Sequence, residues 1–224
     1  LAPFLPWKKA DLARALKRSW FAWAAALAAM MLVLATVATE TTAAACGLAL
    51  AAFLMGGSAQ WLAAGRWRQA ANWPVFLGHA GAAVLVIGIT GTSLWSRQSE
   101  SFASPGDDIA IAGYVLNVAG EESDETPNYK AHRLLLTVKK DGAEVAALAP
   151  EYRAYAMGGT TTSEAAIHST TAYDIYAVSG ERNDEGRTSL RLYFKPTVSF
   201  LWLGALLVTS GGLLSAWLCV RRRV

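Results

Sequence analysis

The sequence predicts a polytopic α-helical membrane protein with four transmembrane helices and a small antiparallel β-rich extracytoplasmic domain inserted before the last helix. Three observations predict it. Residues 20–96 and 198–220 are almost free of charge, and most acidic residues fall between Glu100 and Glu185. The polar stretch between them alternates apolar and polar residues near a period of two. The hydrophobic fraction of 54% over 224 residues and the mean hydropathy of +0.28 are averages over two unlike parts.

Residues 1–19 form a basic segment with Lys8, Lys9, Arg14, Lys17 and Arg18. The first span is 20–37, which at about 1.5 Å per residue can just cross a hydrocarbon core of about 30 Å. The second is 43–64, with Gly47, Gly56, Gly57 and Ser58 allowing close approach of helix backbones. The third is 73–95, bracketed by tryptophans as an aromatic belt predicts. The fourth is 198–220, before a basic tail at 221–224. The N-terminal segment, the Arg66–Arg68 loop and the tail all carry basic residues, whereas the first loop holds Glu40 and none. The expected topology follows: both termini cytoplasmic, and residues 97–197 periplasmic.

Within 97–197, Ile109, Ile111 and Val115, and then Leu134, Leu136 and Val138, mark strand faces. Lys140-Asp141-Gly142 reads as a hairpin turn. Five to seven short strands in a small barrel or sandwich are expected.

Several functions are excluded. The net charge is +3 and no Lys/Arg run is interleaved with aromatics, so nucleic acid is not a partner. Cys46 and Cys219 lie inside hydrophobic runs, which leaves no disulfide framework, CxxC pair or zinc site. No Ser/His/Asp order, HExxH motif or phosphate-binding glycine loop is present. The chain opens on Leu1 with no signal-peptide pattern before the first span, and is expected to have an unusual start or to be the remainder of something longer.

His79 is the candidate site residue. An ionisable group inside a membrane helix is costly and marks function. Gly78 and Gly81 clear space beside it, as a flat macrocycle or a close-packed helix would need. A neutral imidazole suits an axial haem ligand, because it binds iron without adding charge. The other reading is a histidine hydrogen-bonded to a neighbouring helix. His132 and His168 have no Cys, Asp or Glu at ligand spacing and read as solvated strand histidines. Glu151 and Arg153 are a candidate surface pair, and Asp174, between Tyr173 and Tyr176, a structural acceptor.

Several stretches then add a resemblance. They are Pro74-Val75-Phe76-Leu77-Gly78-His79-Ala80-Gly81, Pro105-Gly106-Asp107, Pro127-Asn128-Tyr129 and Pro150-Glu151-Tyr152-Arg153-Ala154-Tyr155. Further on come Ser163-Glu164-Ala165-Ala166-Ile167, Tyr173-Asp174-Ile175-Tyr176, Arg191-Leu192-Tyr193-Phe194-Lys195-Pro196, Trp202-Leu203-Gly204 and Gly211-Gly212. In this order they resemble the C-terminal part of the CcmF family, the haem lyases of cytochrome c-type biogenesis.

The resemblance implies an inner-membrane protein that takes part in joining haem to the CxxCH cysteines of apocytochrome c. It implies a haem-carrier protein as donor and a haem b held between two membrane histidines, with His79 on one of those axial positions. The family's tryptophan-rich WWD segment, the two outer-face histidines beside it and the second haem b ligand have no counterpart here. That ligand is expected from a missing N-terminal part or a partner chain, and the chain alone is not expected to perform ligation. Arg66 and Arg68 lie near the level where haem propionates would pair with charge. The alternative is a non-enzymatic membrane scaffold in a cytochrome assembly complex.

Overall fold

A computed structural model describes residues 16–36 and 41–221. Lys8, Lys9, Arg14, Glu40, Arg222 and Arg223, used above for topology, lie outside the described residues. The chain divides into a helical unit, which runs to Leu94 and resumes at Thr197, and a β unit, Trp95–Pro196.

The helical unit contains α1 (Trp20–Thr36), α2 (Thr41–Ala63), α3 (Trp73–Leu94) and α4 (Val198–Arg221). Segments Thr42–Ala63, Ala70–Leu94 and Val198–Arg221 are long and apolar enough to cross a membrane. The described part of α1 has 17 residues, about 25 Å at the helical rise. Leu16–Arg18 is helical as well, offset from α1 by a turn at Ser19. The Ser19 hydroxyl donates to the Leu16 carbonyl at 3.3 Å and accepts from Trp23 Nε1 at 3.1 Å. A side chain competing for backbone carbonyls in this way is a known source of helix bends.

Each helix packs antiparallel on the next. In lipid this packing depends on shape, because hydrocarbon tails are as apolar as leucine. Gly56 of α2 sits against Ala22, where an added Cβ would come 3.3 Å from the Ala22 Cα. Gly47 of α2 faces Thr90 of α3, whose hydroxyl a Cβ would overlap. The tightest seam joins α3 and α4. A Cβ at Gly81 would stand 2.8 Å from the Val208 nitrogen and 2.9 Å from the Gly204 oxygen, and one at Gly211 would stand 2.9 Å from the Pro74 oxygen. Thr197, counted with the outer domain in the sequence reading, belongs to the helical unit and donates from Oγ1 to the Gly88 carbonyl at 3.2 Å.

Two anchors set the level of one end. Gln60 Nε2 donates to the Arg18 carbonyl at 2.6 Å, so the start of α1 meets the end of α2. Because α3 and α4 run antiparallel through Gly81/Gly204 and Pro74/Gly211, Arg221 lies level with the Arg66–Arg68 turn. Lys17, Arg18, Arg66, Arg68 and Arg221 therefore share one end of the bundle.

The β unit has ten strands, more than the five to seven expected. They are β1 (Arg97–Ala103), β2 (Asp108–Ile111), β3 (Tyr114–Glu125), β4 (Tyr129–Lys140), β5 (Ala143–Leu148), β6 (Glu151–Tyr155), β7 (Thr161–Glu164), β8 (Ala166–Ser169), β9 (Tyr173–Arg182) and β10 (Thr188–Pro196). One sheet has the order β1-β10-β9-β8; the other runs β2-β3-β4-β6-β7, with β5 also on β4. All pairings are antiparallel. Leu116, Val118, Leu134, Leu136 and Val138 of one sheet and Ile175, Ala177, Leu190 and Leu192 of the other form the core.

The excess strands come from turns the pattern hid. Ala112 and Gly113, with φ of 49° and 80°, close a two-residue hairpin between β2 and β3. That turn resets the alternation, so Tyr114, Leu116 and Val118 face the core while Val115, expected inside, is 37% exposed. Asp141 and Gly142, at φ 51° and 82°, form the hairpin turn that was expected.

The α3–α4 seam is testable. Gly81→Leu should lower thermal stability in detergent by at least the roughly 1–3 kcal/mol typical of overpacking, whereas Gly78→Ala, whose Cβ meets nothing within 4 Å, should be neutral or better. Equal melting of the two variants would refute the seam.

Candidate functional site

His79 lies in the second turn of α3, half-buried. Its Nδ1 is 2.8 Å from the Val75 carbonyl oxygen, one helical turn back. A carbonyl can only accept, so Nδ1 is the donor and Nε2 is the ring nitrogen left for another partner. A second-site hydrogen bond of this kind fixes the tautomer and ring orientation of metal-binding histidines. The helix thus presents an oriented imidazole whose Nε2 is not used by the Val75 bond.

The two glycines beside it have different roles. Gly81 is consumed by packing on α4, while the Cβ direction of Gly78 is open. From the Gly47–Thr90 contact, eleven residues along each helix, about three turns, bring Ser58 of α2 level with His79. Ser58 is buried, and its hydroxyl is satisfied by the Leu54 carbonyl at 2.7 Å. The α2-facing side of His79 is therefore lined by a small residue.

Among the described residues no group of three or more His, Cys, Asp or Glu could hold a metal ion. His79 is a single donor. A metal bound through it must bring most of its own ligand set, as the iron of a macrocycle does.

The β unit explains the other candidate residues structurally. Asp107 accepts from the Ser104 amide at 2.9 Å and from Arg187 at 3.1 Å, and these bonds hold its carboxyl below the usual range. Arg153 stacks over Tyr129 at 4.8 Å. Glu151 and Arg153 pair within β6 at 2.8 Å, but the larger partner was missed: Arg133 of β4, whose Nε donates to Glu151 at 2.8 Å. That guanidinium, ahead of Arg153, holds the Glu151 carboxyl below its ordinary value. Buried Asp174 accepts from Tyr176 at 3.3 Å. His168 lies 6.3 Å from the Tyr173 ring.

His132 departs from the solvated reading. Its Nε2 is 3.3 Å from Thr188 Oγ1 and 3.6 Å from Glu121, and its Nδ1 is 3.5 Å from Ser123 Oγ. Burial lowers its pKa. The adjacent carboxylate does not reverse this, because Arg182 already pairs with Glu121. An open depression of about 390 Å³ lies beside His132, Lys130 and Tyr152. Periodicity could not reveal this cluster, since it joins residues of both sheets.

Residues 94–196 match the family described as the CcmF C-terminal beta-sandwich. The cytochrome c-type biogenesis protein CcmF of Pseudomonas aeruginosa is 36% identical over 69% of this chain and 24% of its own length. The chain belongs to the CcmF family. The cytochrome c-type biogenesis protein ccl1 of Rhodobacter capsulatus is 31% identical over 96% of this chain and 34% of its own. A solved structure of the Cytochrome c Heme Lyase CcmF superposes with a TM-score of 0.77 over 96% of this chain and 37% of that one, at 20% identity, so the fold is shared. The chain spans between about a quarter and about a third of the length of these CcmF relatives.

The acid side of the sandwich can be tested. Glu151, with its pKa lowered by Arg133, stabilises the fold above the ordinary carboxylate range and loses that contribution as pH falls through its depressed value. Glu151→Gln should therefore cost stability at neutral pH and show a smaller further loss on acidification; parallel pH–stability curves for the two proteins would contradict this.

Proposed function

We propose that this CcmF-family chain is the C-terminal portion of a cytochrome c haem lyase, taking part in covalent attachment of haem to apocytochrome c. In this reading His79 supplies one axial ligand of a membrane haem b. The observation that carries it is the Nδ1–H···O=C bond to Val75, which leaves Nε2 free at a site with open space beside Gly78. The names of the relatives, cytochrome c-type biogenesis proteins and a haem lyase, supply the activity class.

The chemistry divides between substrate and protein. A cysteine thiol adds across a haem vinyl group, sulfur to one carbon and hydrogen to the other, so the bond-forming step needs no oxidant. A bound haem b would supply one-electron chemistry that keeps the incoming haem reduced. The chain's own residues hold and orient: Val75 sets the His79 tautomer, and the Gly81 seam fixes the rotation of α3. The second axial ligand comes from an N-terminal portion or partner chain, and the haem-carrier protein and apocytochrome c are the remaining partners.

The location proposed is the cytoplasmic inner membrane, with both termini cytoplasmic and residues 97–197 periplasmic. The shared basic end of the bundle supports it. A second reading, a non-enzymatic scaffold, draws on the β unit, whose family-like residues are engaged in structural bonds.

The test is a reduced-minus-oxidised spectrum of the protein isolated with its accompanying subunits. A b-type signal should be present in the wild type and lost in His79→Ala while the protein remains in the membrane. A signal that survives His79→Ala removes His79 from the site, and no haem in either favours the scaffold.

A further inference from the structure

Trp61 of α2 is 6% exposed, and its indole Nε1–H has no hydrogen-bond partner among the described residues. Burying an amide-like donor without a partner is costly. The ring is covered on one face by the Arg66 guanidinium, 5.4 Å from its centroid, and no carboxylate among the described residues pairs with that cation. The Arg66–Arg68 segment also holds its turn through Asn72, whose side chain donates to the Arg66 carbonyl at 2.9 Å. An orphaned buried donor beside a cation is a half-built site for an anionic oxygen.

Its place in the bundle identifies the anion. Fourteen residues from Gly47 and four from Gly57, each within about 40° of whole turns, put Trp61 between the side of α2 that faces α3 and the side that meets Ala22 of α1. It lies three residues, about 4.5 Å, beyond the level of His79 toward the basic end.

We propose that Arg66 and the Trp61 Nε1–H bind a propionate carboxylate of the haem held by His79. This rests on the haem-ligand reading of His79. A cation at the propionate favours the reduced haem, which carries one positive charge less.

The experiment is redox titration of haem b in the protein isolated with its subunits, for wild type, Arg66→Gln, Arg66→Lys and Trp61→Phe. Arg66→Gln should keep the b-type spectrum and lower the midpoint potential, with Arg66→Lys restoring part of the shift. Trp61→Phe, which keeps the ring under Arg66, should give a smaller shift of the same sign. The same titrations are repeated after reconstitution with haem dimethyl ester, whose carboxylates are blocked; the difference between wild type and Arg66→Gln should then shrink, because the carboxylate that holds the guanidinium at the haem is gone. A midpoint unchanged in Arg66→Gln overturns the proposal. A shift undiminished with the ester assigns Arg66 to another anion, such as a lipid phosphate, and overturns it as well. Absence of haem from the wild type overturns the His79 reading instead, so the two failures are distinguishable.

Discussion

The close approach of α3 to α4 at Gly81 and Gly204 is the contact on which the geometry of the helical unit rests. Two helix backbones meet there with no side chain between them. Hydrocarbon gives apolar side chains no reason to leave lipid for protein, so association depends on such fit and on hydrogen bonds. The seam also fixes the rotation of α3. With Gly81 and Gly88 turned toward α4, Thr90 turns toward Gly47 of α2, and His79, three turns before Thr90, follows it. The orientation of the one membrane histidine is thus a consequence of where glycine permits contact. The large apolar side chains left over, among them Trp20, Met31 and Leu32 on α1 and Trp202, Leu206 and Leu213 on α4, are exposed in the isolated chain and suit lipid or further helices.

The β unit obeys the opposite economy. Water surrounds it, so burial of Leu116, Leu134, Leu136, Leu190 and Leu192 drives its folding. Register is enforced by turns, since a one-residue slip would carry every core side chain to the surface. Ala112 shows how firmly register is held: a residue with a Cβ adopts φ 49° because the core positions on either side outweigh the strain. Charged pairs such as Arg133–Glu151–Arg153 then tie β4 to β6 at the partly exposed face.

This contrast decides what was legible in the sequence. The apolar runs announce the helices, because a membrane span needs about twenty residues with hardly a charge. The Asp141-Gly142 turn is readable, since both residues tolerate positive φ. Ala112-Gly113 is not, because alanine gives no turn signal, and Val115 was placed inside for that reason. Arg133, eighteen residues from Glu151, and Thr188, fifty-six from His132, meet only through strand pairing. No local pattern records such partners. For Gly81 the sequence left a flat macrocycle and a close-packed helix both open, and the helix is what fills the gap; a missing side chain is legible, but not what occupies its place. His79 stands out as a candidate because the cost of an imidazole in a membrane is visible from composition alone, whereas the carbonyl that orients it belongs to the backbone and has no residue type to read.

The Val75 bond also explains how a single histidine can stay directed in such a place. An α-helical carbonyl has two lone pairs, and the backbone N–H of residue i+4 uses one. The Val75 oxygen can therefore accept both from the His79 backbone and from Nδ1, satisfying the imidazole donor at no cost to the helix. A side chain tied in this way gives up little further rotamer freedom on binding a metal, which lowers the entropy cost of ligation. In the proposed role an imidazole would reach the metal as an uncharged base, so the charge to be balanced in hydrocarbon would be that of the bound group alone. Any compensation for acidic substituents on that group must then come from elsewhere. In this bundle the described cations lie at one end only, so in the proposed role that compensation would come from one side of the site.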